Sequence, residues 1–119
     1  MQSDYKFVIA DDHPLFRGAL KQALATIGHN PAIIEAGDFE DLKGALLANE
    51  DVDLVLLDLS MPGASGLSAL VALRGLHSAV PVIVVSAHDN AVTIRRALEL
   101  GASGFISKSA GMEDIRHGI

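Results

Sequence analysis

The sequence predicts an α/β domain built on a doubly wound parallel sheet. Two observations carry this. Strand-like and helix-like stretches alternate about five times along the 119 residues, and charged or hydroxyl side chains stand where the apolar strand runs stop. A third fits them: half of the chain is hydrophobic but only 4% is aromatic. The core must therefore be made of Ala, Val, Ile and Leu, which suits short aliphatic strands covered on both faces.

Phe7 to Ala10 reads as the first strand. Pro14 opens a helix, since its missing N–H is not needed in the first turn. Leu15, Phe16, Ala19, Leu20, Ala23 and Leu24 then recur at helical spacing, and Gly28 ends the segment. Ala32 to Glu35 is a short second strand. Asp38 can cap a helix running to about Asn49, with Phe39, Leu42, Ala45 and Leu46 inward. Val52 to Leu57 is the third strand, and a loop with Pro62, Gly63 and Gly66 leads to a helix from about Leu67 to His77. Val82 to Val85 shows no polar alternation and reads as a fully buried strand, with Pro81 at its start. Asp89 or Asn90 caps the next helix, which reaches Leu100 before Gly101. Gly104 to Ser107 is the fifth strand, and a last helix begins near Gly111 or Met112. That helix meets no stop before Gly118 and Ile119, so residues 1–119 read as one domain with its last helix truncated.

A parallel sheet delivers the carboxyl ends of its strands to one edge, where such folds bind ligands. Asp11 and Asp12 follow the first strand, Asp58 the third, Ser86 the fourth and Lys108 the fifth, so these five residues are expected in one crevice. Clustered carboxylates can hold a divalent metal and one of them can attack phosphorus, while a hydroxyl and an ammonium take the displaced charge. Singly, none is specific: an Asp or Ser at a strand end usually forms a turn, and a Lys is usually solvated. Together they change the reading, because three neighbouring carboxylates need a compensating cation. Until a phosphoryl group arrives, Lys108 is the expected neutralising partner.

Composition excludes several classes. The net charge of −6 argues against this segment gripping a phosphodiester backbone, which takes cationic side chains. With no cysteine, disulfides and thiolate metal sites are out of reach, in keeping with a reducing cytoplasm. The N-terminus has no basic stretch followed by a long apolar one, so neither a signal peptide nor a membrane span is expected.

The segments Ala10-Asp-Asp-His-Pro-Leu-Phe-Arg17, Leu57-Asp-Leu-Ser-Met-Pro-Gly63, Val85-Ser-Ala87 and Gly101-Ala-Ser-Gly-Phe-Ile-Ser-Lys108 resemble, in order and spacing, the receiver domain of two-component response regulators. The match runs over nearly the whole chain, and the Asp-Asp-His-Pro-Leu-Phe-Arg start is similar to the NarL/LuxR-type subclass. The resemblance implies a flavodoxin-like sheet of order 2-1-3-4-5 with helices on both faces. It implies that Asp58 receives a phosphoryl group from a sensor histidine kinase with Mg2+ present. Asp12, Asp58 and the Ser60 backbone carbonyl would be direct metal ligands, and Asp11 would act through a bound water. Ser86 and Lys108 would contact the phosphoryl oxygens and carry the switch, with Phe105 as the switch aromatic or simply a half-buried strand residue. Such a domain signals rather than catalyses, apart from assisting its own phosphorylation and dephosphorylation, and it is cytoplasmic. Its output is homodimerisation or release of a C-terminal helix-turn-helix DNA-binding domain, which this chain lacks, so DNA is reached only through that domain.

Some positions stay open at this level. His13 is a metal ligand by residue type, but beside Pro14 it also suits a capping or surface role. His88 stands two residues after Ser86, where the family tunes hydrolysis. Ile94 is either an exposed contact of the output face or a core residue. Ser109 replaces the Pro that many relatives carry after the lysine, so a trans bond is expected there. Three other classes compete with this reading. A haloacid-dehalogenase-like phosphatase needs an Asp-x-Asp after the first strand, and a flavodoxin-like cofactor binder needs a Gly/Ser/Thr-rich loop there. A degenerate receiver that is never phosphorylated is opposed by retention of all five site residues.

Overall fold

The computed structural model describes residues 5–26, 31–63, 66–87 and 90–109. Its elements are β1 (Lys6–Ala10), α1 (Pro14–Leu24), β2 (Ala32–Ala36), α2 (Phe39–Ala48), β3 (Leu54–Asp58), α3 (Ser68–Leu76), β4 (Val82–Ser86), α4 (Ala91–Glu99) and β5 (Gly104–Ser107). The five strands form one sheet in the order β2-β1-β3-β4-β5, with every described pairing parallel. The expected architecture is therefore observed. Gly28, Asp89 and the start of the last helix near Gly111 or Met112 lie outside the described residues.

Alternation along the strands sorts the core into two layers. Val8, Ala10, Val55, Leu57, Val82 and Val84 face Leu42 and Leu46 of α2, Leu70 and Leu73 of α3, and Ala97 of α4. Phe7, Ile9, Leu56, Ile83, Val85 and Ile106 face the other way, against Leu20, Ala23 and Leu24 of α1. Every residue of β4 is buried, as its unbroken apolar run requires when helices cover both faces. Each fully buried aliphatic side chain contributes about 1.5–3 kcal/mol of transfer free energy. These two layers thus supply the main drive to fold.

Local chemistry sets the element ends. The Asp38 carboxylate accepts the Asp41 N–H at 2.7 Å and caps α2, and the Asn90 side chain accepts the Thr93 N–H at 2.9 Å and caps α4. Of the two expected caps for α4, Asn90 is the one observed. Gly101 ends α4 at φ +108, and a Cβ there would stand 2.7 Å from Cδ of Arg74. Glycine is needed at that turn on both counts. The third strand is displaced from its expected span: it begins at Leu54 and includes Asp58, which pairs with Val85. Asp53 is instead drawn to β1, where its N–H donates to Lys6 O at 2.7 Å and its carboxylate accepts the Lys6 N–H at 2.8 Å. Among the described residues no helix is long and apolar enough to cross a membrane, and no peptide bond is cis.

Candidate functional site

Strand register assembles the site. Because Ala10 pairs with Leu57, Asp11 and Asp58 leave the sheet on the same row. Ser86 stands one residue further along β4, and Lys108 two residues past the row along β5. Arg17 of α1 holds the exit of β1, donating to the Asp11 carbonyl at 2.8 Å and to Glu35 of β2 at 2.8 Å. The Lys108 N–H donates to the Ser86 carbonyl at 3.0 Å, which ties the last two strand ends together. The loop after Asp58 is tied as well, through the Phe39 N–H donating to the Pro62 carbonyl at 2.9 Å.

The two inner carboxylates each use one oxygen locally. Asp11 Oδ1 accepts the His13 N–H at 2.8 Å, and Asp58 Oδ1 accepts the Ser60 N–H at 3.0 Å, both closing short turns. Their Oδ2 atoms are buried and receive no well-aimed hydrogen bond, and the same holds for Asp12 Oδ1. Lys108 supplies the nearby charge. Its Nζ lies 3.1 Å from Asp11 Oδ2 and 3.2 Å from Asp58 Oδ2, and its side chain is 12% exposed. The ammonium is close enough to pair with both oxygens, and it also donates to Asp11 Oδ1 at 3.4 Å. The Phe16 ring lies 5.1 Å from the same ammonium and adds a weaker cation–π attraction.

Burial pushes the Asp58 carboxyl above the usual carboxylate range. The Ser60 N–H opposes the shift, the nearby Asp11 charge adds to it, and Lys108 pulls it back. Three carboxylates against one ammonium leave two negative charges in a largely buried crevice. Hard oxygen donors, orphaned buried oxygen atoms and a charge deficit of two are what a divalent cation such as Mg2+ needs. Asp11, Asp12 and Asp58 could therefore hold one.

The remaining expected residues fall around this cluster. Ser86 is fully buried at the end of β4, and Ser60 is exposed beside Asp58. Phe105 is half-buried and packs on the layer that contains Val84, its partner in the ladder. Ile94 is half-buried, whereas Val92 is 77% and Leu98 47% exposed, so these two are the large apolar side chains that α4 presents to solvent. His88 lies outside the described residues.

His13 departs from the capping role open to it. It precedes α1 in extended conformation and makes no side-chain cap. Its ring instead leans over the acidic cluster, with Nδ1 3.2 Å from Asp11 Oδ1, 3.2 Å from Asp12 Oδ1 and 3.7 Å from Asp58 Oδ2. Lys108 Nζ is nearer still, at 2.9 Å. Adjacency to the acidic pair at a strand end was the sequence signal for this placement. Beside the cluster opens an apolar pocket of about 550 Å³, lined by His13, Pro14, Leu15, Phe16, Ala19, Ser60, Ala87 and Lys108. Leu15 is 93% exposed at its rim, a role its helical spacing did not distinguish from the core.

Comparison with known proteins places the chain. Residues 7–119 match the family model described as the response regulator receiver domain. The chain is 40% identical over 106 residues to the glycerol metabolism activator of Pseudomonas putida, covering 89% of this chain and 48% of that protein. It spans about half the length of the curated relatives it matches. Among solved structures, the signal receiver domain of the response regulator NarL from Mycobacterium tuberculosis aligns with TM-score 0.78 and 31% identity, over 98% of this chain and 93% of that one. A response regulator from Burkholderia pseudomallei, solved with a phosphorylated aspartic acid, a calcium ion and citrate, aligns with TM-score 0.77 and 25% identity, over 97% of this chain and 66% of that one.

Proposed function

The chain belongs to the response regulator receiver domain family, in its NarL/LuxR-type subclass, and from that premise we propose that Asp58 accepts a phosphoryl group from a phosphohistidine of a sensor kinase. The observation that supports this most is the convergence of Asp11, Asp12 and Asp58 at one sheet edge, with Lys108 within 3.2 Å of two of them. In the transfer, a bond forms between an Asp58 carboxylate oxygen and phosphorus as the bond from phosphorus to the donor imidazole nitrogen breaks. The donor leaves as a neutral imidazole once it takes up a proton. Asp11, Asp12, Asp58 and the Ser60 carbonyl would hold Mg2+, Asp11 through a water. When bound, that ion offsets negative charge on the transferring oxygens.

The chain's own groups then exchange partners. Lys108, now beside Asp11 and Asp58, moves its ammonium to a phosphoryl oxygen, and the Ser86 hydroxyl donates to another. Because the Lys108 N–H is bonded to the Ser86 carbonyl, the two loops move together, and Phe105 follows in the adjoining layer. The output face is α4, β5 and the last helix expected after them, with Val92 exposed on α4, and it acts through homodimerisation or a C-terminal helix-turn-helix DNA-binding domain. The whole protein would then be a cytoplasmic transcription regulator. The apolar pocket with Leu15 at its rim suits docking of the kinase, since it opens directly beside the acceptor.

Incubation with acetyl phosphate and Mg2+, followed by intact mass, tests the acceptor. Wild type is expected to gain one phosphoryl mass that is lost in acid, and Asp58→Asn to gain none. Labelling of that variant at the wild-type level, or an unlabelled wild type, rejects the proposal. The second result would leave a receiver that signals without phosphorylation.

A further inference from the structure

Resting on the reading of this crevice as a divalent-cation site, we infer that His13 is itself a ligand of the cation, which shifts the site's preference toward ions that favour imidazole nitrogen. Asp11, Asp12, His13 and Asp58 each offer one donor atom, all within 4.8 Å of one another. The His13 Nδ1 spacings to the two carboxylates proposed as direct ligands, 3.2 Å to Asp12 Oδ1 and 3.7 Å to Asp58 Oδ2, are those of donors around one small ion. Neighbouring ligands on an octahedral ion with bonds of about 2.1 Å stand about 3.0 Å apart, and on a tetrahedral one about 3.4 Å apart.

Two further observations point the same way. The buried Oδ2 atoms of Asp11 and Asp58 converge on one cation position. The Lys108 ammonium stands near that position, 3.1 and 3.2 Å from those oxygens and 2.9 Å from His13 Nδ1. Nδ1 also lies 3.2 Å from Asp11 Oδ1, and in the tautomer that carries the ring proton on Nε2 its lone pair is available to a cation. A divalent ion entering the crevice meets a ring nitrogen already turned toward it, and Lys108 gives way.

An all-oxygen site suits Mg2+, whereas an imidazole donor favours Ni2+ and its neighbours in the first transition row. The test is calorimetric titration of the tag-free chain with Ni2+ and, separately, Mg2+, using wild type, His13→Ala and Asp12→Ala. The His13 side chain is 59% exposed and caps no helix N–H, so its removal leaves the fold in place. In His13→Ala the ratio of Mg2+ to Ni2+ dissociation constants is expected to fall about tenfold, with the Mg2+ value moving less than about threefold. Asp12→Ala is expected to weaken both ions. A ratio that falls less than about threefold in His13→Ala, or Ni2+ binding that survives Asp12→Ala unweakened, overturns the inference. Acetyl phosphate labelling separates this from the acceptor proposal. If Asp58 labels normally while the ratio stays put, the ligand role fails and the receiver reading stands. If the ratio falls while wild type never labels, the ligand role stands and the acceptor reading fails.

Discussion

Asp51 and Asp58 flank the same strand, one before it and one at its end, and their carboxyl groups are moved in opposite directions. At the amino edge, Lys6 donates to Asp51 at 2.8 Å in the open, and this hydrogen bond holds the Asp51 carboxyl below its ordinary range. At the carboxyl edge, burial pushes Asp58 above that range, and the neighbouring Asp11 adds to the effect. The first edge is arranged like an ordinary protein surface, with exposed charges in contact with opposite ones. The second sets three carboxylates, two of them buried, against the single Lys108 ammonium, an excess of negative charge that is unfavourable for the fold. Two edges of one sheet, made by the same backbone ladder, thus separate into a part whose charges are matched and a part that carries unmatched negative charge.

The largest expected effect breaks the contrast outright. Replacing Asp58 by Asn removes the buried charge, abolishes labelling by acetyl phosphate, and raises the melting temperature at pH 7. The folded-state pKa of Asp58 lies above the unfolded value, so ionised Asp58 costs stability. That cost is absent below the unfolded pKa and grows as pH rises through the folded one. The gain in melting temperature should accordingly vanish near pH 3. A variant that melts below wild type at pH 7 would show that the crevice is not strained by this charge.

Asp12→Ala comes next, with Mg2+-dependent labelling expected to fall by about tenfold or more, as quantitative intact mass would show. Labelling at the wild-type rate would remove Asp12 from the ligand set. A smaller effect is expected of Leu15→Asp at the pocket rim. It should slow transfer from a phosphohistidine protein severalfold while leaving acetyl phosphate labelling unchanged, and equal slowing with both donors would place the defect in the crevice rather than in docking.

The least effect is expected at the amino edge. Asp51→Asn should lower the melting temperature at pH 7 by less than Asp58→Asn raises it, because exposed pairs contribute little. With the folded pKa of Asp51 depressed, its contribution is present above the unfolded value and fades as pH falls through the folded one. Melting curves between pH 3 and pH 7 check both slopes together; the two variants are expected to diverge as pH rises.

Much of this was legible without coordinates. Unbroken apolar runs marked β4, helical spacing marked α1 and α2, and Asp38 and the pair Asp89 and Asn90 marked helix starts. The rule that parallel strands share a carboxyl edge gathered Asp11, Asp12, Asp58, Ser86 and Lys108 before any distance was known. Val52 suits β3 by its apolar side chain, but the neighbouring Asp53 bonds to Lys6 with both backbone and side chain, and the strand starts after them.

By itself, then, the sequence determined the kind and order of the elements and the chemistry of one edge, because both depend on local period and on strand direction. Tertiary structure alone decided which members of an apolar stripe stay in water and which oxygens remain unpaired. Period tells which side chains share a face of one element, but exposure depends on what packs across from it. Leu15 therefore opens onto a pocket while Leu20 is buried under the sheet, and Val92 rather than Ile94 meets solvent. The turn of the His13 ring over the carboxylates is of the same kind. It needs Lys108, 95 residues away in the chain, to stand 2.9 Å from Nδ1, a proximity that only the closing of β5 onto β4 creates.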